Sequence, residues 1–242
     1  MAMRTITRTT AERHRAMITA DLLSLARWLS PSFPTGAFAW SHGLEQAIAC
    51  GLRAEEVERW VADVIRLGAG RTDAILLSQA ARGGPVADLA ELAEALSPTG
   101  ERLAETREQG AAFARTVSGA TPIDLPALPL PVAVGHLAHL KALPAEPVAA
   151  LYLQAFATNL VQAAQRLAPI GQTKGAAMVE RLAPICETVA AEAEKPQEPA
   201  QKSSKSRSRS SKGRGSKEGN KVVGLGDHLP DFIGLSFAER DN

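Results

Sequence analysis

Residues Glu146–Leu167 place apolar side chains on every face of a helix: Leu151, Leu153, Phe156, Leu160, Val161 and Ala164. A helix apolar all round has no solvent side, so it must lie at the centre of a bundle. The rest of the chain supplies the helices around it. Alanine and leucine are abundant and aromatics make up only 4% of residues, which favours helix and argues against a β-sandwich or barrel. No alternating strand pattern appears, and 242 residues suffice for one large core. The expected fold is all-α: a single helical-bundle domain of about eight to ten helices over residues 21–194. A polar, mobile leader (1–20) precedes it, and a basic, low-complexity tail (195–242) follows.

Punctuation places the helix ends. Gly51 stops a helix at Cys50. Ala54–Leu67 repeats Val57, Trp60, Val61, Val64, Ile65 and Leu67 at the helical period, with Glu55, Glu56 and Glu58 in its first turn, where the dipole favours acids. Gly68 and Gly70 interrupt it. Thr72–Ala81 is the next helix, and Arg82-Gly83-Gly84-Pro85 breaks the chain. Pro85–Leu96 sets Leu89, Leu92 and Leu96 on one face. Thr99 caps a helix over Glu101–Val117, where Gly110, Ala111, Ala112 and Ala114 form a small-residue face open to close approach by another helix. Gly119–Pro131 reads as a proline-rich loop and Val132–Leu143 as helix. Gly175–Ala193 is the last helix, with Pro184 set to kink or split it.

The stretch Leu22–Glu45 is the most unusual. Leu22, Leu23, Leu25, Ala26 and Leu29 form an apolar stripe with Trp28 beside it. Pro31 and Pro34 then break the helix. A second helix is expected from Ala37, capped by Thr35 and carrying Phe38, Trp40, Leu44 and Ile48. On it Ser41 and Glu45, four apart, share a face, with His42 and Gly43 between them. Polar groups set among apolar ones need partners if they are buried. His42 is the functional candidate among them. A hydrolytic relay is disfavoured, because Ser41 and His42 would point about 100° apart on a helix.

Other chemistry is missing from the sequence. There is no phosphate loop, dinucleotide fingerprint or nucleophile elbow, so no catalytic residue and no permanently bound cofactor or metal is expected. His136 and His139 are three apart, a weak metal signal without a third ligand. Cys50 and Cys186 form no disulfide pattern, which points to a reduced, cytoplasmic compartment. Neither a secretory leader nor a membrane-spanning run is visible. Net charge is +1, yet residues 195–221 hold roughly +7 by counting side chains. That stretch supports an alternative reading as a nucleic-acid-associated helical protein, with nonspecific phosphate contacts. Arg166, near the end of the central helix, must reach solvent or a carboxylate, and Glu45 is a candidate partner.

Four phrases, in the same order, resemble the UreF family of urease accessory proteins: Ser30–Glu45 (SPSFPTGAFAWSHGLE), Glu105–Arg115, Leu153–Leu167 and Pro169–Thr173 (PIGQT). The likeness extends over about residues 21–194. It implies a non-catalytic, all-helical protein that works as a homodimer with UreD (also called UreH). That pair recruits and regulates the GTPase UreG while nickel is delivered to apo-urease. On this resemblance Pro31, Pro34, Gly36, Ser41, His42, Gly43, Glu45, Arg107, Arg166, Gly171 and Gln172 become partner- or channel-related candidates. Glu45 and Arg166 in particular would line or gate a passage for nickel. No specific nucleic acid and no membrane is implied. Relatives end on a phrase like Arg-His-Glu-x-Gln-x-x-Arg-Leu-Phe-Arg-Ser that orders on UreD; here the Lys/Arg/Ser-rich stretch and Phe232–Asn242 stand in its place. The departure bears on UreD binding and leaves the helical fold untouched.

Overall fold

The computed structural model describes residues 19–195. The leader expected over 1–20 falls outside them except for Thr19 and Ala20, and the tail expected from residue 195 falls outside them except for Lys195. The described residues contain no strand and nine α-helices: α1 (Thr19–Trp28), α2 (Leu44–Ala49), α3 (Val57–Leu67), α4 (Ala69–Ala81), α5 (Val86–Ala95), α6 (Gly100–Ala120), α7 (Leu130–Leu140), α8 (Ala145–Leu167) and α9 (Gln172–Glu194). A single 3-10 turn, Ala37–Ala39, lies between α1 and α2.

Helix α8 takes the expected central place, but it is not apolar all round: Gln154, Thr158, Asn159 and Gln162 lie along it half-buried, and Leu151 and Leu167 are exposed. It packs against α9, α4, α3, α2 and α7 and against the 3-10 turn. Val148, Leu153, Leu160 and Val161 are buried in the main core beside Leu182 and Met178 of α9 and Ile65 of α3. Its neighbour α4 packs against α7, α8, α9, α3 and α5. Two ion pairs brace the periphery: Arg181 of α9 grips Glu58 of α3 at 2.6 Å, and Arg71 of α4 meets Glu192 of α9 at 2.9 Å.

Several helix ends follow their local chemistry. Thr99 caps α6, its hydroxyl accepting from the Arg102 amide at 3.1 Å. Past α2, Gly51 turns left-handed (φ 104°), so its N–H reaches the Ile48 carbonyl and that of Leu52 the Ala47 carbonyl, a Schellman closure. Pro184 neither splits nor ends α9, which runs unbroken through it. The proline removes only one backbone donor, and packing of Leu182, Cys186 and Val189 on both sides holds the helix.

Some expectations fail for identifiable reasons. The buried stripe of α5 is Leu89 and Ala93, four apart, which leaves Leu92 exposed; Leu96 and Leu67, 51% and 80% exposed, lie at helix ends. Leu22 and Leu23 are likewise exposed, leaving Leu25 and Trp28 to bury α1. Helix α6 continues three residues past Val117, into the expected loop. The small-residue face at Gly110 receives a loop, not a helix. A Cβ on Gly110 would sit 1.8 Å from the Leu128 carbonyl oxygen and 2.8 Å from the Leu130 nitrogen, so only glycine lets the proline-rich connection lie on α6.

Candidate functional site: a buried ionic network beneath a left-handed loop

The expected helix from Ala37 does not form. Gly36 (φ 77°) starts the short 3-10 turn with no side-chain cap, so Thr35 caps nothing. Trp40 is extended (φ −113°, ψ 122°) and ends the turn. His42 (φ 51°) and Gly43 (φ 84°) are then both left-handed, and α2 begins only at Leu44. Two left-handed residues in succession cannot propagate a right-handed helix. Gly43 adopts that conformation freely, whereas His42 holds it at a cost of about 1–2 kcal/mol. Something must fix His42 there.

The fixing partner is Glu105 of α6. His42 Nε2 lies 3.0 Å from Glu105 Oε1, with both side chains nearly closed to solvent. The imidazole edge meets the Phe156 ring of α8, centroids 4.6 Å apart. Glu105 is held from two more sides: Gln109 Nε2 donates to Oε1 at 2.9 Å, and Arg102 donates to Oε2 at 2.8 Å. The other arm of Arg102 donates to both Asp73 oxygens, at 2.6 and 2.7 Å, and the Tyr152 hydroxyl donates to Asp73 Oδ2 at 2.7 Å. One network thus joins the loop, α4, α6 and α8. Asp73, Glu105, Gln109 and Tyr152 are all buried.

Its electrostatics follow from this geometry. Burial favours the neutral form of Glu105, but the hydrogen bond and charge of His42, and then those of Arg102, outweigh it and hold the carboxyl below its usual range. Burial also disfavours the Arg102 cation, yet Asp73, Tyr152 and Glu105 together raise its pKa above the ordinary value. Burial, and next the Asp73 charge, push the Tyr152 phenol well above its usual pKa, so it stays a hydrogen-bond donor. Every polar member is paired, the condition under which a buried ionic cluster specifies one arrangement.

The network also divides space. Trp40, His42, Arg102 and Glu105 line both an inner cavity of about 70 Å³, walled by Trp28, Phe113 and Phe156, and an outer groove of about 780 Å³. The inner cavity has room for a few waters beside its polar groups.

The sequence-derived candidates scatter around this centre. Pro31 lines the inner cavity, Pro34 lies in the exposed loop beside it, and Gly36 begins the 3-10 turn. Ser41, Gly43 and Glu45 line the outer groove. Ser41 and Glu45 are not one turn apart on a helix, and no hydrogen bond joins Ser41 to His42 or Glu45 among the described residues. Arg166 is exposed and donates to the Phe38 carbonyl at 2.9 Å; no ion pair links it to Glu45. Arg107 is on the surface, bidentate to Glu94 at 2.6 and 2.8 Å. Gly171 precedes α9 and Gln172 opens it, both near the Gln165 amide. His136 and His139 have no third metal-binding neighbour; among the described residues no group of three exists.

Asp73, Arg102, Glu105, Gln109 and Tyr152 lie outside the candidates that the sequence suggests as a site. A signal was present. Asp73 precedes Ala-Ile-Leu-Leu on α4, and Tyr152, the only tyrosine, sits between Leu151 and Leu153 on α8. A charge or hydroxyl in such runs needs a buried partner.

Fold and site together define a class: an all-helical scaffold whose buried ions fix a surface loop. A model of the UreF family matches residues 52–183. The chain is 58% identical over 177 residues to urease accessory protein UreF of Cereibacter sphaeroides strain KD131, covering 72% of this chain and 84% of that one. It is 46% identical over 173 residues to UreF of Dinoroseobacter shibae (71% and 82%) and 42% identical over 175 residues to UreF of Ruegeria pomeroyi (70% and 81%). The chain belongs to the UreF family of urease accessory proteins. The family match begins after the Ser30–Glu45 phrase, whereas Glu105–Arg115, Leu153–Leu167 and Pro169–Thr173 all fall inside it. No described helix is long and apolar enough to cross a membrane.

Proposed function

We propose that this chain is a non-catalytic cytoplasmic subunit of a urease-maturation complex. It binds UreD (UreH) as a homodimer, recruits and regulates the GTPase UreG, and takes part in nickel insertion into apo-urease. Nickel is cargo in this reading and no cofactor is permanently bound. The observation that carries it is membership of the UreF family. The loop geometry supports it: a scaffold that works through protein contacts benefits from a surface segment held on rigid helices, and the ionic network holds Gly36–Gly43 on α6 and α8 in that way.

Glu45 and Arg166 are both exposed in the single chain, so any passage they line is completed by partner subunits. Arg166 keeps its position by donating to Phe38, and Glu45 faces the outer groove. Both are proposed as contact residues along the nickel route, with Gln172 and Arg107 as further surface contacts. Binding of specific nucleic acid or of a membrane forms no part of the proposal.

Size-exclusion chromatography with light scattering tests it, using the full chain alone and mixed with UreD and UreG homologues. A mass equal to a dimer of this chain with added UreD, and further mass on adding UreG, is expected. Elution of the chain at its own mass at every partner concentration would overturn the reading.

A further inference from the structure

We infer that the outer groove between α2, α3, α4, α5 and α6 is a docking site for a partner-protein segment that is both cationic and apolar. The inference stands on the groove itself and does not depend on the maturation reading. At about 780 Å³ it is open and large enough for several side chains. Val64, Leu67, Leu76 and Leu96 give it an apolar lining, and Leu67 and Leu96 are 80% and 51% exposed. Both leucines line the same concavity, and apolar area gathered in a concave surface marks contact surfaces.

Charge decides what fits. Glu45 and Glu101 line the groove and are exposed. Neither has an ion-pair partner among the described residues. Among the described residues Arg102 is the one arginine or lysine in the lining, and Asp73 and Glu105 already hold it. Among the described residues the groove therefore presents free carboxylates together with exposed leucines and no free lysine or arginine. An acidic segment would meet like charge. A purely basic one would leave the leucines in water. The complement is an amphipathic segment with apolar anchors flanked by lysine or arginine.

The test uses the full chain and three fluorescently labelled synthetic peptides of equal length: leucine/lysine amphipathic, leucine/glutamate, and serine/lysine. Anisotropy titrations at low and physiological salt read the affinities. The leucine/lysine peptide is expected to bind at least tenfold more tightly than either control. The double variant Glu45→Lys/Glu101→Lys and the single variant Leu67→Ser are each expected to weaken it at least tenfold. Glu180→Lys, on the exposed face of α9, leaves it unchanged. All altered side chains are exposed, and circular dichroism verifies that the variants are folded. Equal binding of the three peptides, equal binding by the double variant, or a loss with Glu180→Lys matching that of the double variant would overturn the inference.

Discussion

His42 Nε2 and Glu105 Oε1 lie 3.0 Å apart, and this contact is what holds a left-handed histidine against α6. Beyond Glu105 the same network runs through Arg102 to Asp73 and Tyr152. The loop's conformation is therefore set by residues on three helices, and its most informative perturbations lie below it.

Arg102→Ala leaves Asp73 and Glu105 buried beside each other without the cation between them. Breaking a buried pair from one side costs about 3–5 kcal/mol. Urea denaturation is expected to show a loss of that size. A loss below about 1 kcal/mol, the size typical of exposed pairs, would mean that the network is solvated in solution.

Tyr152→Phe removes a single hydroxyl that donates to a buried carboxylate at 2.7 Å. Hydrogen bonds to charged groups contribute about 1.5–3 kcal/mol, and the denaturation midpoint should fall accordingly, with the slope unchanged.

Two glycines of α6 should respond oppositely to alanine. At Gly110 a Cβ has no room against the Leu128 carbonyl, whereas at Gly100 nothing lies within 4 Å. Gly110→Ala should destabilise by about 1–3 kcal/mol or more through overpacking. Gly100→Ala should be neutral or stabilising by up to about 1 kcal/mol, by restricting the unfolded chain. Thermal melts of the two variants side by side test the contrast.

These sites show what the sequence discloses and what it hides. The central role of α8 is legible because apolar periodicity is a local property, and the Thr99 cap and the Gly51 stop are local too. The helix expected from Ala37 fails because its local pattern is helical while His42 is drawn out of it by Glu105, a contact distant in sequence. Asp73, Arg102 and Tyr152 each look ordinary in their own segment; only the packing of α4, α6 and α8 makes them one cluster. Arg166 could be singled out by position, but its partner is the Phe38 carbonyl, which no side-chain pattern reveals.

The network also sets the acid limit of the fold. The Glu105 carboxyl is held below its ordinary value by His42 and Arg102. A depressed folded-state pKa contributes stability that is fully present above the unfolded value, about 4.3. That stability is lost as pH falls through the lower folded value. Urea midpoints should therefore drop below about pH 4.3, and less steeply in Glu105→Gln than in the parent. Identical slopes in the two proteins would remove Glu105 as a contributor.

The proposed role of this chain is in nickel loading of urease. The most direct measurement is the nickel content of urease purified from cells that express the other maturation proteins, with and without this chain. Nickel-loaded, active urease is expected with the chain and mostly apo-urease without it. Equal nickel content in the two preparations would contradict the claim.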